Sequence, residues 1–312
     1  MPMKALVTGA AGFVGRHTVA ELQRCGWDIH SIDLEPMRVD VDLRKSAHLH
    51  VIDDVLSAFQ GAGPGGIRYD LVVHAAASSP HRAAIDGEPQ HFARNLQLDA
   101  AMFDWAVRTG QGRVLYLSSS AAYPIDLQDD HATACNLRED DIRWTGRRNI
   151  GNPDAVYGWT KLTGERLADQ ARAAGLPVTV VRPFSGYAED QSENFPFRAL
   201  VERARRREDP FVIWGDGNQV RDWIHIDDVV KGMLAVAESG TDEPVNLCTG
   251  VGWSMAELAY IACDQVGHKP RFEYLTDKPA GVAYRVGDPA RFHEIYKPTV
   301  TLAEGVARAL KA

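Results

Sequence analysis

The chain has 312 residues, 45% of them apolar, and a formal net charge of −8. That composition supplies a sizeable core and excludes a disordered chain, and the mild acidity argues against a dedicated nucleic-acid binder. The four cysteines, at 25, 135, 248 and 263, lie at neither metal-site nor disulfide-scaffold spacing, so no metal is expected. The opening MPMKALVTGA does not read as a signal peptide. No uninterrupted apolar run reaches the roughly 18 residues of a membrane span. A soluble, cytoplasmic protein of a reducing compartment, without a membrane partner, is expected.

KALVTGA (4–10) reads as a strand opening into glycines. RHTVAELQRCG (16–26) carries Val19, Leu22 and Cys25 at helical spacing and ends at Gly26. DIHSIDL (28–34), LVVHAA (71–76) and RVLYLSS (113–119) are further strands, with a helical pattern from Asn95 to Thr109 between the last two. A helix over 155–174 leads to the strand PVTVVRPF (177–184). This alternation predicts an α/β fold: a Rossmann-type parallel sheet with helices on both faces. After Pro183 the texture changes. Residues 185–222 are loop-rich, with a helix near 195–207 and a strand FVIWG (211–215). RARRRED (203–209) mixes its arginines with acids and reads as a solvated helix face. Asp227 is expected to cap a helix running to about 239. A strand VNLCTG (245–250), a helix over 254–266 and a polar, proline-containing tail close the chain. The expected division is a Rossmann domain over 1–184, with 223–250 returning to it, and a smaller mixed α/β C-terminal lobe from 185–222 and 251–312.

TGAAGFVG (8–15) places Gly9, Gly12 and Gly15 three apart, at a strand end and before a helix. A turn of bare backbone there lets a pyrophosphate approach the N–H groups of the helix N-terminus. The spacing is not the simplest dinucleotide fingerprint, so the strand–turn–helix context carries the argument. Phe13 and Val14 belong to the same cradle. Asp33 ends the second strand, 18 residues beyond Gly15. A carboxylate there can accept the ribose hydroxyls and would repel a 2′-phosphate, which favours NAD over NADP; the alternative is a strand-end turn aspartate. Asp42 and Leu43, in DVDLR, are expected beside the adenine.

DAVYGWTK (154–161) puts Tyr157 and Lys161 four apart, on one face of a helix. An ammonium beside a phenol favours the phenolate and lowers a free pKa of about 10. Such a tyrosine can take a proton from a sugar hydroxyl near neutral pH. In isolation the same spacing is common on ordinary surface helices.

Several separated motifs in one order settle the matter: TGAAGFVG, Asp33, HAAA (74–77), SSSAAY (118–123), YGWTK (157–161), VRPFSGY (181–187) and WGDGNQVRDWIHIDDV (214–229). Over nearly its whole length the chain resembles an extended short-chain dehydrogenase/reductase of the NAD-dependent nucleotide-sugar epimerase/dehydratase family. The resemblance implies that Tyr157, Lys161 and Ser119 are catalytic. Ser119 lies four residues before Tyr123, and Ser120 takes its place if the register differs by one. It implies that Ala75 and Ala76 contact the cofactor, that Lys161 holds the nicotinamide ribose and that Pro183 and Phe184 back the nicotinamide. It implies a nucleoside-diphosphate sugar as substrate, with Arg221 and Arg285 on the diphosphate. Each arginine could instead serve an internal ion pair. Asn194, Phe195 and the FVIW stretch (211–214) are expected at the nucleotide. His81 and Arg82 can reach the sugar, or cap and decorate a surface. Many relatives carry Asn where this chain has Ser185. A homodimer through two helices per subunit, one containing Tyr157, is also implied.

In a 4-epimerase of this type the tyrosine deprotonates the C4 hydroxyl while resident NAD accepts the hydride, the 4-keto sugar turns, and the hydride returns to the opposite face. Dehydratases of the family usually place Asp-Glu after the catalytic Thr or Ser. Here Ser119 is followed by Ser120 and Ala121, so 4-epimerisation of a UDP-hexose or UDP-hexuronate is the expected activity. The alternatives are a dehydratase drawing its acids from 126–154, a net oxidoreductase, and a non-catalytic NAD-binding protein.

Overall fold

The structure, a computed structural model, describes residues 2–36, 48–60, 66–78, 89–132, 134–144, 151–278 and 281–312. Its first part runs β1 (Lys4–Thr8), α1 (Phe13–Arg24), β2 (Asp28–Asp33), β3 (His48–Ile52), α2 (Val55–Gln60), β4 (Leu71–His74), α3 (Pro89–Arg108), β5 (Arg113–Leu117), α4 (Ala155–Ala173) and β6 (Val178–Pro183). Then follow β7 (Ser185–Tyr187), α5 (Pro196–Arg205), β8 (Phe211–Trp214), β9 (Val220–His225), α6 (Ile226–Ser239), β10 (Val245–Leu247), β11 (Gly252–Ser254), α7 (Met255–Gln265), β12 (Phe272–Leu275), β13 (Tyr284–Arg285), α8 (Ala290–Ile295) and α9 (Leu302–Lys311).

Strands β1, β4 and β5 are apolar at almost every position and buried along their length, as strands covered on both faces must be. They form the centre of a seven-stranded parallel sheet of order β3-β2-β1-β4-β5-β6-β10, the expected Rossmann-type sheet. The order reverses between β1 and β4, and open α/β sheets bind their ligands at the strand ends beside such a reversal.

The chain divides into two compact units: residues 1–122, 155–182 and 233–245, and residues 123–154, 183–232 and 246–312. In the first, Leu6, Val72, Val114 and Val180 from the sheet pack with Phe59, Met102 and Trp105 from α2 and α3. The Phe59 and Trp105 rings lie 4.7 Å apart. In the second, β9 pairs with β11, β13 and β7, and β8 pairs with β12. Their core gathers Tyr187, Phe197, Phe211, Trp223, Leu258, Leu302 and Val306.

Three expectations change. The C-terminal stretch is not a plain polar tail: it holds β12, β13, α8 and α9. Helix α9 buries Leu302, Val306 and Ala309, a stripe that its glycine and alanines hide in the sequence. Helix α3 begins at 89 rather than 95. Asp227 lies inside the first turn of α6. The cap is His225, whose Nδ1 accepts the Asp227 N–H at 3.2 Å. Elements β3 and α2 were not expected; both are short and weakly periodic. Among the described residues no helix is long and apolar enough to cross a membrane.

Helix α4 meets β5 directly at Gly164. A Cβ on Gly164 would collide with the Tyr116 hydroxyl and stand 2.7 Å from Asp99 Oδ2. Gly164→Ala should therefore destabilise the protein by about 1–3 kcal/mol through overpacking, read as a lower thermal midpoint. An unchanged midpoint would mean that the helix can stand off from the strand at no cost.

Candidate active site

The glycine turn follows directly from β1. Gly9 has φ +66°, and a Cβ there would lie 2.6 Å from the Ala75 carbonyl and the Ala76 nitrogen. Only glycine meets both demands. The turn thus sits against the segment after β4, at the reversal of strand order. Gly12 is the extended N-cap of α1; no side chain caps that helix and no acid lies in its first turn. Its leading N–H groups and its dipole suit an anion. Gly15 is buried beneath, against the Gly9 carbonyl. Phe13 and Val14, half-buried, open the helix, and the Arg16 guanidinium stands 5.2 Å from the centre of the Phe13 ring.

Asp33 ends β2. Its Oδ2 accepts the Ala11 N–H at 2.9 Å and its Oδ1 accepts the Glu35 N–H at 3.1 Å. It therefore does serve its own turn. It also stands at the strand end where a ribose-reading acid belongs, and a carboxylate has about four acceptor sites, enough for both tasks. These residues fit a dinucleotide. Asp42 and Leu43 lie outside the described residues.

Beneath the turn runs a buried polar chain. Thr8 Oγ1 lies 2.9 Å from His74 Nδ1 and accepts the Ala76 N–H at 3.2 Å. His74 Nε2 meets Asp99 Oδ1 at 3.2 Å, and the Tyr116 hydroxyl donates to Asp99 Oδ2 at 2.6 Å. Burial, then the neighbouring Asp99, holds the Tyr116 phenol well above its ordinary pKa, so it remains a donor. The chain ties β1, β4, α3 and β5 together at the end of the sheet that carries the turn.

Tyr157 and Lys161 occupy the first turns of α4. Tyr157 is half-buried, while Lys161 is only 6% exposed. Lys161 Nζ donates to the Leu117 carbonyl at 2.9 Å. It lies 5.4 Å from the Tyr116 ring centre and 5.8 Å from that of Tyr157. The pair is thus a buried lysine beside a half-buried tyrosine, at the end of β5. Ser119 follows β5, half-buried, and its Oγ accepts the Ala121 N–H at 3.1 Å. Ser120 is buried in the short 3-10 turn Ser120–Ala122, against which α4 packs.

Helix α4 is fixed by a buried clasp. Glu165 takes Arg182 through both oxygens, at 2.9 Å from Nε and 2.7 Å from Nη2, and accepts the Ser118 hydroxyl at 2.5 Å. Sequence reasoning passed over Glu165, although it lies four residues after Lys161 and the same-face rule would have found it. Asp99 and Arg182 gave no local signal. Pro183 is the half-buried last residue of β6, and Phe184 is buried.

In the second unit the register pairs Arg285 with Arg221 across β13 and β9. Arg221 Nη1 donates to the Val220 carbonyl at 2.7 Å. Arg285 does make an internal ion pair, with Asp154 at 2.7 Å. The neighbouring Asp222 is buried. It accepts the Thr249 hydroxyl and the N–H groups of Thr249, Gly250 and Gly287. Burial pushes its carboxyl pKa up against the pull of those donors. Asn194 is exposed, its N–H donating to Ser192 Oγ at 3.3 Å. Phe195 and Trp214 are exposed as well, and Ser185 is half-buried on β7. His81 and Arg82 lie outside the described residues. Among the described residues no three His, Cys, Asp or Glu side chains gather as a metal site would require.

A profile of the NAD dependent epimerase/dehydratase family matches residues 5–248. The dTDP-4-dehydro-6-deoxy-D-allose reductase of a Streptomyces sp is 29% identical over 314 aligned positions, which cover 93% of this chain and 89% of that protein. GDP-mannose 3,5-epimerase 1 of Oryza sativa subsp. japonica is 28% identical over 97% of this chain and 80% of its own. Among solved structures, MoeE5 in complex with UDP-glucuronic acid and NAD superposes with a TM-score of 0.83 at 26% identity, over 99% of this chain and 98% of that one.

Breaking the clasp from one side should be costly. Arg182→Met leaves Glu165 buried without its cation and should lower stability by about 3–5 kcal/mol, whereas the double change Arg182→Met with Glu165→Met should recover most of the loss. Urea unfolding of the three proteins measures it; equal stability of the single and double variants would show that the charges are not dependent on each other.

Proposed function

The chain belongs to the NAD dependent epimerase/dehydratase family, and on that premise we propose that it is a nucleotide-sugar 4-epimerase using tightly bound NAD, acting on a UDP-hexose or UDP-hexuronate. The observation that carries this reading is the Tyr157–Lys161 pair on α4 beside a serine turn, Ser119-Ser120-Ala121, that holds no carboxylate. An elimination needs an acid and a base beside the sugar; a reversible oxidation at C4 needs only one proton acceptor that later gives the proton back.

In this reading Tyr157 accepts the proton of the C4 hydroxyl and returns it. Ser119 hydrogen-bonds the same oxygen and holds it at the phenol. Lys161, buried beside the Tyr157 ring, holds the cofactor ribose. Bound NAD supplies the hydride acceptor and donor. Gly9, Gly12, Phe13, Val14 and Gly15 hold its pyrophosphate end, Asp33 its adenosine ribose, and Ala75, Ala76 and Pro183 flank the rest. Asp33 makes the preference NAD rather than NADP. Arg221 and Arg285 take the sugar nucleotide's diphosphate, for which a planar multidonor fork is well suited, and Asn194 and Phe195 contact the nucleotide. The UDP-glucuronic acid and NAD held by MoeE5 support both ligand classes. The protein works as a homodimer with α4 in the interface; Val156 and Trp159 on that helix are 39% and 40% exposed.

The test is to incubate the pure protein with UDP-, GDP- and dTDP-sugars and separate the products. A product of equal mass inverted at C4 is expected. A product lighter by one water would replace the reading with dehydration. Stoichiometric consumption of reduced cofactor would replace it with reduction; the Streptomyces relative is named a reductase. Tyr157→Phe should lower turnover by at least about 10²-fold with NAD still bound; undiminished turnover would remove the proposed base.

A further inference from the structure

The two arginines proposed for the diphosphate are both tied into the second unit. In a parallel ladder, residues paired in register emerge on the same face, so Arg221 and Arg285 stand side by side on β9 and β13. Like charges at paired positions repel, and a diphosphate offsets both. Arg221 Nη1 donates to the Val220 carbonyl at 2.7 Å. Arg285 is braced from a distance: Gln128 Oε1 accepts its Nε at 2.5 Å and Asp154 Oδ2 accepts its Nη2 at 2.7 Å.

Both braces are themselves buried. Gln128 is fully buried, and its Nε2 donates to the Tyr123 and Pro124 carbonyls at 3.1 and 2.9 Å. Its own carbonyl accepts the Tyr284 N–H at 2.9 Å, which locks it to the residue beside Arg285. Asp154 is 4% exposed and immediately precedes α4, the helix that carries Tyr157.

From this geometry we infer that Asp154 and Gln128 are positioning residues that fix the Arg285 guanidinium for the diphosphate of the nucleotide sugar. The inference rests on the diphosphate role proposed for the arginine pair and names what sets that pair's geometry. Arginine has many rotamers, and one already ordered loses little freedom when the ligand arrives. The opposing effect is repulsion: Asp154 is an anion near an anion site, and repulsion alone predicts tighter binding once its charge is removed. The two accounts therefore differ in sign.

The NAD-loaded protein is titrated with UDP by calorimetry, and the sugar-nucleotide turnover identified above is measured in parallel. Asp154→Ala should weaken UDP by up to about tenfold, the upper bound being the cost of ordering one arginine, because Gln128 still holds Nε. It should raise KM with kcat kept within about twofold, the signature of lost uniform binding. Asp154→Asn, which keeps an acceptor oxygen, should lose less. In an Arg285→Ala background, Asp154→Ala should have no further effect on UDP. Affinity unchanged or tighter in Asp154→Ala overturns the inference alone, provided Arg285→Ala weakens UDP. A loss from Asp154→Ala that persists in the Arg285→Ala background overturns it too, as general damage. UDP affinity unaffected by Arg221→Ala and Arg285→Ala would remove the diphosphate reading, and this inference with it.

Discussion

Helix α4 must lie within side-chain reach of the end of β5, and the rest of the site depends on that approach. Two features secure it. Gly164 removes the Cβ that would strike Tyr116, and the Glu165–Arg182 clasp closes on Ser118. Both charges are out of water, so neither is tolerable without the other. Such a pair adds little net stability compared with an apolar pair of the same size. It contributes register, because only one placement of α4 lets both Glu165 oxygens meet the guanidinium. Lys161, one turn earlier on the same face, is then set against the Leu117 carbonyl without a separate device.

The glycine turn is fixed in a comparable way from below. Thr8, His74, Asp99 and Tyr116 form a continuous polar chain under it. A buried network of this kind is favourable only when every member is satisfied. Each member comes from a different element, β1, β4, α3 and β5, so satisfying the network also sets the spacing of those elements. A tight turn alone would leave the position of α1's N-terminus less determined.

The relatives include a reductase and a 3,5-epimerase, which is consistent with what such a site supplies. A proton-transferring tyrosine beside a hydride carrier interconverts an alcohol and a carbonyl in either direction. The net reaction is then decided by how the sugar is held and whether it can turn before the hydride returns. On the proposed reading those decisions fall to the residues that grip the nucleotide and diphosphate, Arg285 and its two braces among them.

The parallel sheet, the glycine turn, Asp33 and the Tyr157–Lys161 pair were all legible from the chain alone. Each is a local pattern: an apolar run, a φ requirement, or an i,i+4 spacing set by helix geometry. The C-terminal elements were not legible, because α9 buries its stripe among small residues and β13 is only two residues long. Nor were the partners of the reactive groups. Asp99, Glu165 and Arg182 are ordinary charged residues in the sequence, and burial makes them obligatory partners only after folding. Arg285 shows the division most clearly. The resemblance pointed it to a diphosphate with an internal ion pair as the alternative, whereas its actual partner, Asp154, 131 positions away in the chain, and its register with Arg221 arise only where distant segments meet. Short-range backbone and helix geometry determined the first set; desolvation and long-range pairing decided the second.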